Sequence, residues 1–166
     1  MIIVHTGDGK GKTTAAIGLA VRACGSGLKV LILQFIKGGQ ISGELEALKL
    51  LPIEIRQCGL GFTNRGEISE HQKAAAETLK VARDEILSGR WNLIVLDEIN
   101  YAVKFGLITE AEMLGLLEIC PPELHLVFTG RNATEKLIDA ADLVTEMTLI
   151  KHPFQKGVAA QRGIEF

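Results

Sequence analysis

Gly7, Gly9 and Gly11 alternate with Asp8, Lys10 and Lys12, and Thr13 and Thr14 follow directly. Glycines at this density let a backbone come close to a ligand because no Cβ stands in the way. Successive N–H groups of such a loop point inward at phosphate oxygens, and a helix opening behind it adds the positive end of its dipole. Lys12 is the point charge that reaches the terminal phosphates, with Lys10 as a second cation, and the Thr13 hydroxyl is a ligand for a divalent cation. The chemistry on offer is capture of a nucleoside triphosphate, ATP with Mg2+ or Mn2+.

The spacing departs from the standard phosphate-loop pattern G-x-x-x-x-G-K-[ST]. Counting back from Gly11, the first glycine position falls on Thr6, and glycine comes one residue later at Gly7, so the loop is in effect one residue shorter. A second cluster closes the apolar run Leu93-Ile94-Val95-Leu96 with Asp97-Glu98. A carboxylate at the end of a core strand is the usual second partner of nucleotide-bound Mg2+, directly or through water. We therefore expect Thr13, Glu98 and Asp97 at the metal.

The surroundings narrow the reading. The chain has 166 residues and a net charge of −2, which argues against a broad nucleic-acid surface. No apolar run approaches the roughly 20 residues of a membrane span, and no secretory pattern precedes Ile2. Cys24, Cys58 and Cys120 are odd in number, without a C-x-x-C pair, and sit among apolar neighbours. Buried reduced thiols and a cytoplasmic location are expected. His5, His71, His125 and His152 lack ligand spacing and read as core or surface histidines.

The elements that must position these groups alternate. Strands are expected at Ile2–Thr6, Val30–Ile36, Ile53–Cys58, Leu93–Leu96, Leu126–Thr129 and Leu143–Ile150. Helices are expected from Thr13 to Arg22, stopping near Gly25-Ser26-Gly27, and over Gly43–Leu51, Ser69–Leu87, Glu110–Glu118 and Thr134–Ala141. In the third of these, Ala75, Leu79, Ala82 and Ile86 make one buried face. The tail from Lys151 shows no periodicity. The sum is a single α/β domain, residues 1–166, with a mostly parallel sheet of about six strands flanked by helices. In such a sheet the ligand lies at the carboxyl ends of the strands, where the glycine loop, Asp97-Glu98 and Gly130-Arg131 all fall. The acidic pair resembles that of P-loop NTPases of the RecA-like kind, which place an extra strand between the loop strand and the acidic strand.

Longer stretches carry a closer likeness. Thr6 to Ala16, Gln34-Phe35-Ile36-Lys37-Gly38, Leu96-Asp97-Glu98-Ile99-Asn100-Tyr101 and Thr129-Gly130-Arg131-Asn132-Ala133 resemble the ATP:corrinoid adenosyltransferases of the cobalamin pathway. So do Ala141 to Met147, Lys151-His152-Pro153-Phe154 and Gly163-Ile164-Glu165-Phe166, in order and at family spacing. The resemblance implies alkyl transfer: Co(I) of a reduced corrinoid attacks C5′ of ATP and expels inorganic triphosphate. Lys12, Lys10 and Glu98 then serve the reaction, and ATP lies reversed in the loop. By the same resemblance Arg131 is a triphosphate or ribose contact and Arg22 a weaker one, since a cation near a helix end is favoured there without any ligand. Lys151 to Phe154 would line the site. The resemblance also makes Phe62 and Thr63 corrinoid-facing, in a loop whose aromatics displace the lower axial ligand of cobalt. Asn64 stands where some relatives carry tryptophan, so Phe62 would act alone. Some relatives have an additional amino-terminal helix over the site. With six residues before Gly7, that lid is expected to be absent or replaced by another segment, such as one from a partner subunit. A homodimer, a flavoprotein reductant and a cobalamin-dependent client enzyme are implied as partners. Two other readings stay open at this point: an ATP hydrolase using Glu98 as base, and a non-catalytic corrinoid escort.

Overall fold

The structure is a computed structural model and describes residues 1–39, 42–61 and 67–164. In chain order the elements are β1 (Ile2–Thr6), α1 (Lys12–Gly25), β2 (Val30–Gln34), α2 (Gly43–Leu48), β3 (Ile53–Gln57) and α3 (Ile68–Leu87). Then follow β4 (Leu93–Asp97), α4 (Ile99–Lys104), α5 (Glu110–Glu118), β5 (His125–Thr129), α6 (Glu135–Ala140) and β6 (Leu143–Glu146). The segment Pro153–Lys156 is a short 3-10 turn.

All six strands join one sheet in the order β3-β2-β4-β5-β1-β6, and every pairing is parallel. β5 thus lies between β1, which enters the glycine loop, and β4, which ends in Asp97. That is the extra strand expected of a RecA-like sheet.

Side chains alternate across each strand, so one strand feeds two cores. On one face Ile94 and Leu96 of β4 pack with Leu126, Phe128, Ala75, Leu79, Ala82 and Ile86. On the other, Leu93 and Val95 pack with Ile3, Val127 and the small residues Ala16, Ala20 and Ala23 of α1. Alanines at that spacing let α1 lie close to the sheet, which brings its amino end up to the strand ends. The four-three-four face expected of α3 is buried in full.

A buried acid ties α3 to the strands it covers. Glu85 accepts from Arg56 Nη1 of β3 at 2.7 Å, from Arg90 Nη2 at 2.5 Å and from Trp91 Nε1 at 2.7 Å. Burial pushes its carboxyl up, but the donors Trp91, Arg56 and Arg90 outweigh burial and hold it below the usual carboxylate range. Arg90 and Trp91 lead directly into β4, so this cluster helps to set the strand that carries Asp97.

Two expected strand ends are corrected. β2 ends at Gln34 rather than Ile36, because its neighbours end there: Gln34 pairs with Gln57 and Asp97. β6 ends at Glu146 rather than Ile150, because its partner β1 ends at Thr6 and turns into the glycine loop. The helix α4 was not foreseen; it is one and a half turns long, too short to show a period. The cysteines are free, as expected, but half-buried rather than buried.

Candidate functional site

The glycine loop leaves β1 at Thr6 and enters α1 at Lys12. Gly11 caps the helix in a left-handed conformation (φ 119°) and offers no side-chain acceptor to the first turn. The amides that open α1 therefore keep their capacity for an anion. Lys12, the first helical residue, is buried, and its Nζ donates back to Gly7 O at 2.7 Å and Gly9 O at 2.6 Å. Burial lowers its pKa, with the nearby Glu98 carboxylate opposing and Arg131 reinforcing the shift.

Thr6 explains the departure from the standard spacing. Its hydroxyl accepts from Ala133 N at 3.1 Å, so the side chain at the first glycine position binds the strand β1 to the loop that carries Arg131. Gly9 N donates to Met147 O at 2.6 Å, and Met147 N to Thr6 O at 2.9 Å. One amide of the phosphate loop is thus committed to the chain beyond β6. Gly7 and Gly9 serve this contact as well: a Cβ on either would lie 2.5 Å or 2.6 Å from Met147 O.

Asp97 is buried at the carboxyl end of β4 and accepts from three neutral donors. Thr13 Oγ1 and Thr129 Oγ1 both reach Oδ1 at 2.8 Å, and Gln34 Nε2 reaches Oδ2 at 3.2 Å. The expected link between the loop and the acidic strand is therefore a direct bond, Thr13 to Asp97. Glu98 follows in a left-handed conformation (φ 61°) that a non-glycine residue adopts at a cost of about 1–3 kcal/mol. Its N–H is held by Thr129 Oγ1 at 2.9 Å. Burial pushes the Glu98 carboxyl up and Asp97 adds to this, while Lys12, Lys37 and Arg131 pull the other way.

Gly130 N donates to His5 O, and Asn100 Nδ2 to Gly130 O at 3.3 Å. A side chain at position 130 would be strained by the positive φ (126°) and tightly packed, its Cβ 3.0 Å from Tyr101 N and Asn100 Cβ. This brings Arg131 to the glycine loop, its Nε 3.8 Å from Asp8 Oδ1. A groove of about 320 Å³ opens beside the loop, lined by Thr6, Gly7, Asp8, Ala133, Val144 and Glu146 among others.

A loop of uncapped amides, a buried lysine, an arginine and an adjacent carboxylate pair supply the donors and charges that a polyphosphate with its cation would need. Thr13 Oγ1, Asp97 and Glu98 form a hard-oxygen set that suits Mg2+, which takes one or two carboxylates and completes its shell from phosphates and water. Among the described residues there is no cluster of three or more His, Cys, Asp or Glu that could hold a metal ion.

Comparison with known proteins decides between the sites of this kind. Residues 1–166 match the family described as ATP:corrinoid adenosyltransferase BtuR/CobO/CobP. The chain belongs to that family. A corrinoid adenosyltransferase of Pseudomonas aeruginosa is 41% identical over 169 residues, covering 100% of this chain and 83% of the relative. One of Sinorhizobium is 42% identical over 175 residues (100% and 80%), and one of Escherichia coli K12 is 37% identical over 167 (100% and 85%).

Within this adenosyltransferase fold the expected residues divide. Gly7, Asp8, Gly9, Lys10, Gly11, Lys12, Thr13, Thr14, Asp97, Glu98 and Arg131 come to one edge of the sheet, with Asp8, Lys10, Thr14 and Arg131 exposed. Arg22 does not join them. It is exposed in the last turn of α1, ten residues beyond Lys12 and therefore about 15 Å along the helix. Phe62 and Thr63 lie outside the described residues, as does Asn64. Lys151 and Phe154 are exposed. Gln34, Thr129, Asn100 and Met147 contact the site without having been assigned roles from sequence. All four fall inside stretches that carried the family likeness, which was the available signal.

Proposed function

We propose that this chain transfers the 5′-deoxyadenosyl group of ATP to a reduced corrinoid. The cobalt of a Co(I) corrinoid donates an electron pair to C5′, the C5′–O bond breaks with its pair going to oxygen, and a Co–C bond forms. Cobalt ends formally as Co(III), and inorganic triphosphate leaves. The protein supplies no nucleophile and needs no Ser, Cys or His in that role. Its task is to hold ATP and to stabilise charge gathering on the departing triphosphate, which prearranged donors and cations do without reorganising.

The observation that carries this reading is the polyphosphate site within a chain matched over its whole length to this family. Lys12 and the amides opening α1 bind the triphosphate, with Lys10 and Arg131 at its margins. Thr13, Asp97 and Glu98 hold Mg2+ or Mn2+, whose charge would offset that of the phosphates. Gly9 supports the reading in a further way, since its amide faces Met147 and the loop keeps fewer donors for a standard phosphoryl-transfer cradle. Phe62 and Thr63 are proposed to face the corrinoid, as the family resemblance implies.

A single-domain homodimer in the cytoplasm, served by a flavoprotein reductant and passing product to a cobalamin-dependent client enzyme, completes the proposal. Support for self-association comes from β6, an edge strand that exposes Leu143 and Val144. No helix among the described residues is long and apolar enough to cross a membrane.

The test is an anaerobic reaction of protein, MgATP and chemically reduced corrinoid. Expected are loss of the Co(I) absorbance, a light-sensitive adenosylated product and stoichiometric triphosphate. Formation of ADP and phosphate alone would establish the hydrolase instead, and binding of adenosylated corrinoid without turnover would establish an escort.

A further inference from the structure

The turn after β2 is fixed by backbone alone. Phe35 N donates to Asp97 O at 3.0 Å, Gly59 N to Lys37 O at 3.1 Å and Gly61 N to Ile36 O at 2.8 Å. Gly38 and Gly59 are required for this closeness. A Cβ on Gly38 would lie 1.6 Å from Gly59 O, and one on Gly59 would lie 2.2 Å from Ile36 O. Lys37 is therefore mounted on a rigid turn two residues past a backbone bond to Asp97.

Its ammonium is held by one carboxylate. Nζ lies 2.6 Å from Glu44 Oε1 in the first turn of α2, with the lysine side chain 33% exposed and the glutamate 18%. An ammonium carries three donors, and this is the one bond found for it among the described residues. Burial would push the Glu44 carboxyl up, but the bond from Lys37 and further donors outweigh it and hold it below the usual carboxylate range.

Lys37 shares this arrangement with the two cations already placed at the site. Lys12 is bonded to the carbonyls of Gly7 and Gly9, Arg131 faces Asp8, and Lys37 is bonded to Glu44. The fields of all three act on Glu98, so the Lys37 ammonium is within electrostatic reach of the acidic pair. Each cation is held by a protein acceptor that a polyphosphate could replace. The side chain of Lys37 is flexible on a fixed base, which suits an exchange from carboxylate to phosphate.

We propose that Lys37 is a third cation of the triphosphate site, exchanging Glu44 for a phosphate oxygen when ATP binds and remaining with the triphosphate as it leaves. Glu44 holds the ammonium in place between turnovers and competes with the phosphate for it. The inference rests on the adenosyl-transfer reading and adds a residue and an exchange to it.

The experiment is calorimetric titration of inorganic triphosphate with Mg2+ into the full chain, its K37M and K37A variants, and E44Q. Loss of a charge-assisted bond should weaken triphosphate binding roughly tenfold to a hundredfold in K37M. E44Q should bind triphosphate at least as tightly as the unmodified chain, because the competing acceptor has lost its charge. A purely structural ion pair predicts something else, equal thermal destabilisation by K37M and E44Q with triphosphate affinity unchanged in both. Unchanged affinity in K37M, or equal weakening in E44Q, overturns the inference. So does failure of both Lys37 variants to fold, which would make the pair structural. If the unmodified chain forms adenosylcorrinoid while K37M binds triphosphate normally, only the inference falls. If the unmodified chain forms none, the wider reading falls with it.

Discussion

Gly9 donates its amide to Met147 O at 2.6 Å, and a Cβ on Gly9 would stand 2.6 Å from the same oxygen. The phosphate loop is thus built against the chain beyond β6 as much as around a ligand. Gly9→Ala forces backbone against backbone, and the loop or Met147 must move. Overpacking of this kind costs about 1–3 kcal/mol, and for a chain of this length each kcal/mol lowers Tm by roughly 2–4 °C. The expected result is a fall in Tm by thermal melting together with weaker ATP binding by titration. Gly18 supplies the control. It lies mid-helix in α1 with nothing near a built Cβ, so Gly18→Ala should raise stability by about 0.5–1 kcal/mol.

Asp97 offers a way to separate charge from shape. Asp97→Asn keeps an oxygen for the hydroxyls of Thr13 and Thr129 and places an amide opposite Gln34. Gln34 Oε1 has no partner among the described residues. A flip of the Gln34 amide therefore satisfies the new donor, and Tm should change little. Metal binding should not survive as well: MgATP affinity is expected to fall about tenfold to a hundredfold, in line with a lost charged contact. ATP without metal should bind as before or more tightly, since one negative charge has left its surroundings. Titrations with Mg2+ and with a chelator check the two signs. Equal loss in both would mean that Asp97 supports the loop rather than the cation.

Much of this was legible from residue types in order. Alternating strands and helices, the glycine loop and Asp97-Glu98 at a strand end suffice for a parallel sheet with its site at one edge. The burial of Ala75, Leu79, Ala82 and Ile86 follows from their spacing. What stayed hidden depends on where neighbours end. Nothing in Val30 to Ile36 says that pairing stops at Gln34, and nothing in Leu143 to Ile150 says that Met147 will leave the sheet for Gly9. Arg22 was carried over from the family likeness, and residue order alone does not show that it stands in the last turn of α1, about 15 Å along the helix from Lys12. Thr6 read as a defect in a motif, and its bond to Ala133 N comes from a loop 127 positions away.

On the proposed adenosyl transfer, Lys12 carries the heaviest functional load. Its ammonium sits among loop carbonyls, bonded to Gly7 O and Gly9 O. Lys12→Met keeps most of the buried stem and removes the charge. Removing one prearranged donor to developing charge costs about 10²–10³ in kcat, and that is the loss expected for adenosyl transfer. Initial rates under saturating corrinoid would measure it. A variant with full kcat and raised KM for ATP would instead confine Lys12 to ground-state binding.

Glu85 gives a prediction about acid. Its carboxyl is held below the ordinary value of 4.5: burial opposes this, and Trp91, Arg56 and Arg90 overcome it. A carboxyl whose pKa is depressed by folding adds stability that is present above its unfolded pKa and is lost as pH falls through the folded value. Glu85→Gln cannot hold two arginines, and at neutral pH it should lose roughly 2–4 kcal/mol as buried charged bonds are weakened. The unmodified chain surrenders the same contribution once the acid itself is protonated. The gap between the two in urea unfolding should therefore be widest at pH 7 and narrow steadily below about pH 4.5. A gap that stays constant with pH would show that the glutamate acts through packing and neutral hydrogen bonds. In that case Arg56 and Arg90 would be held to α3 by something other than its charge.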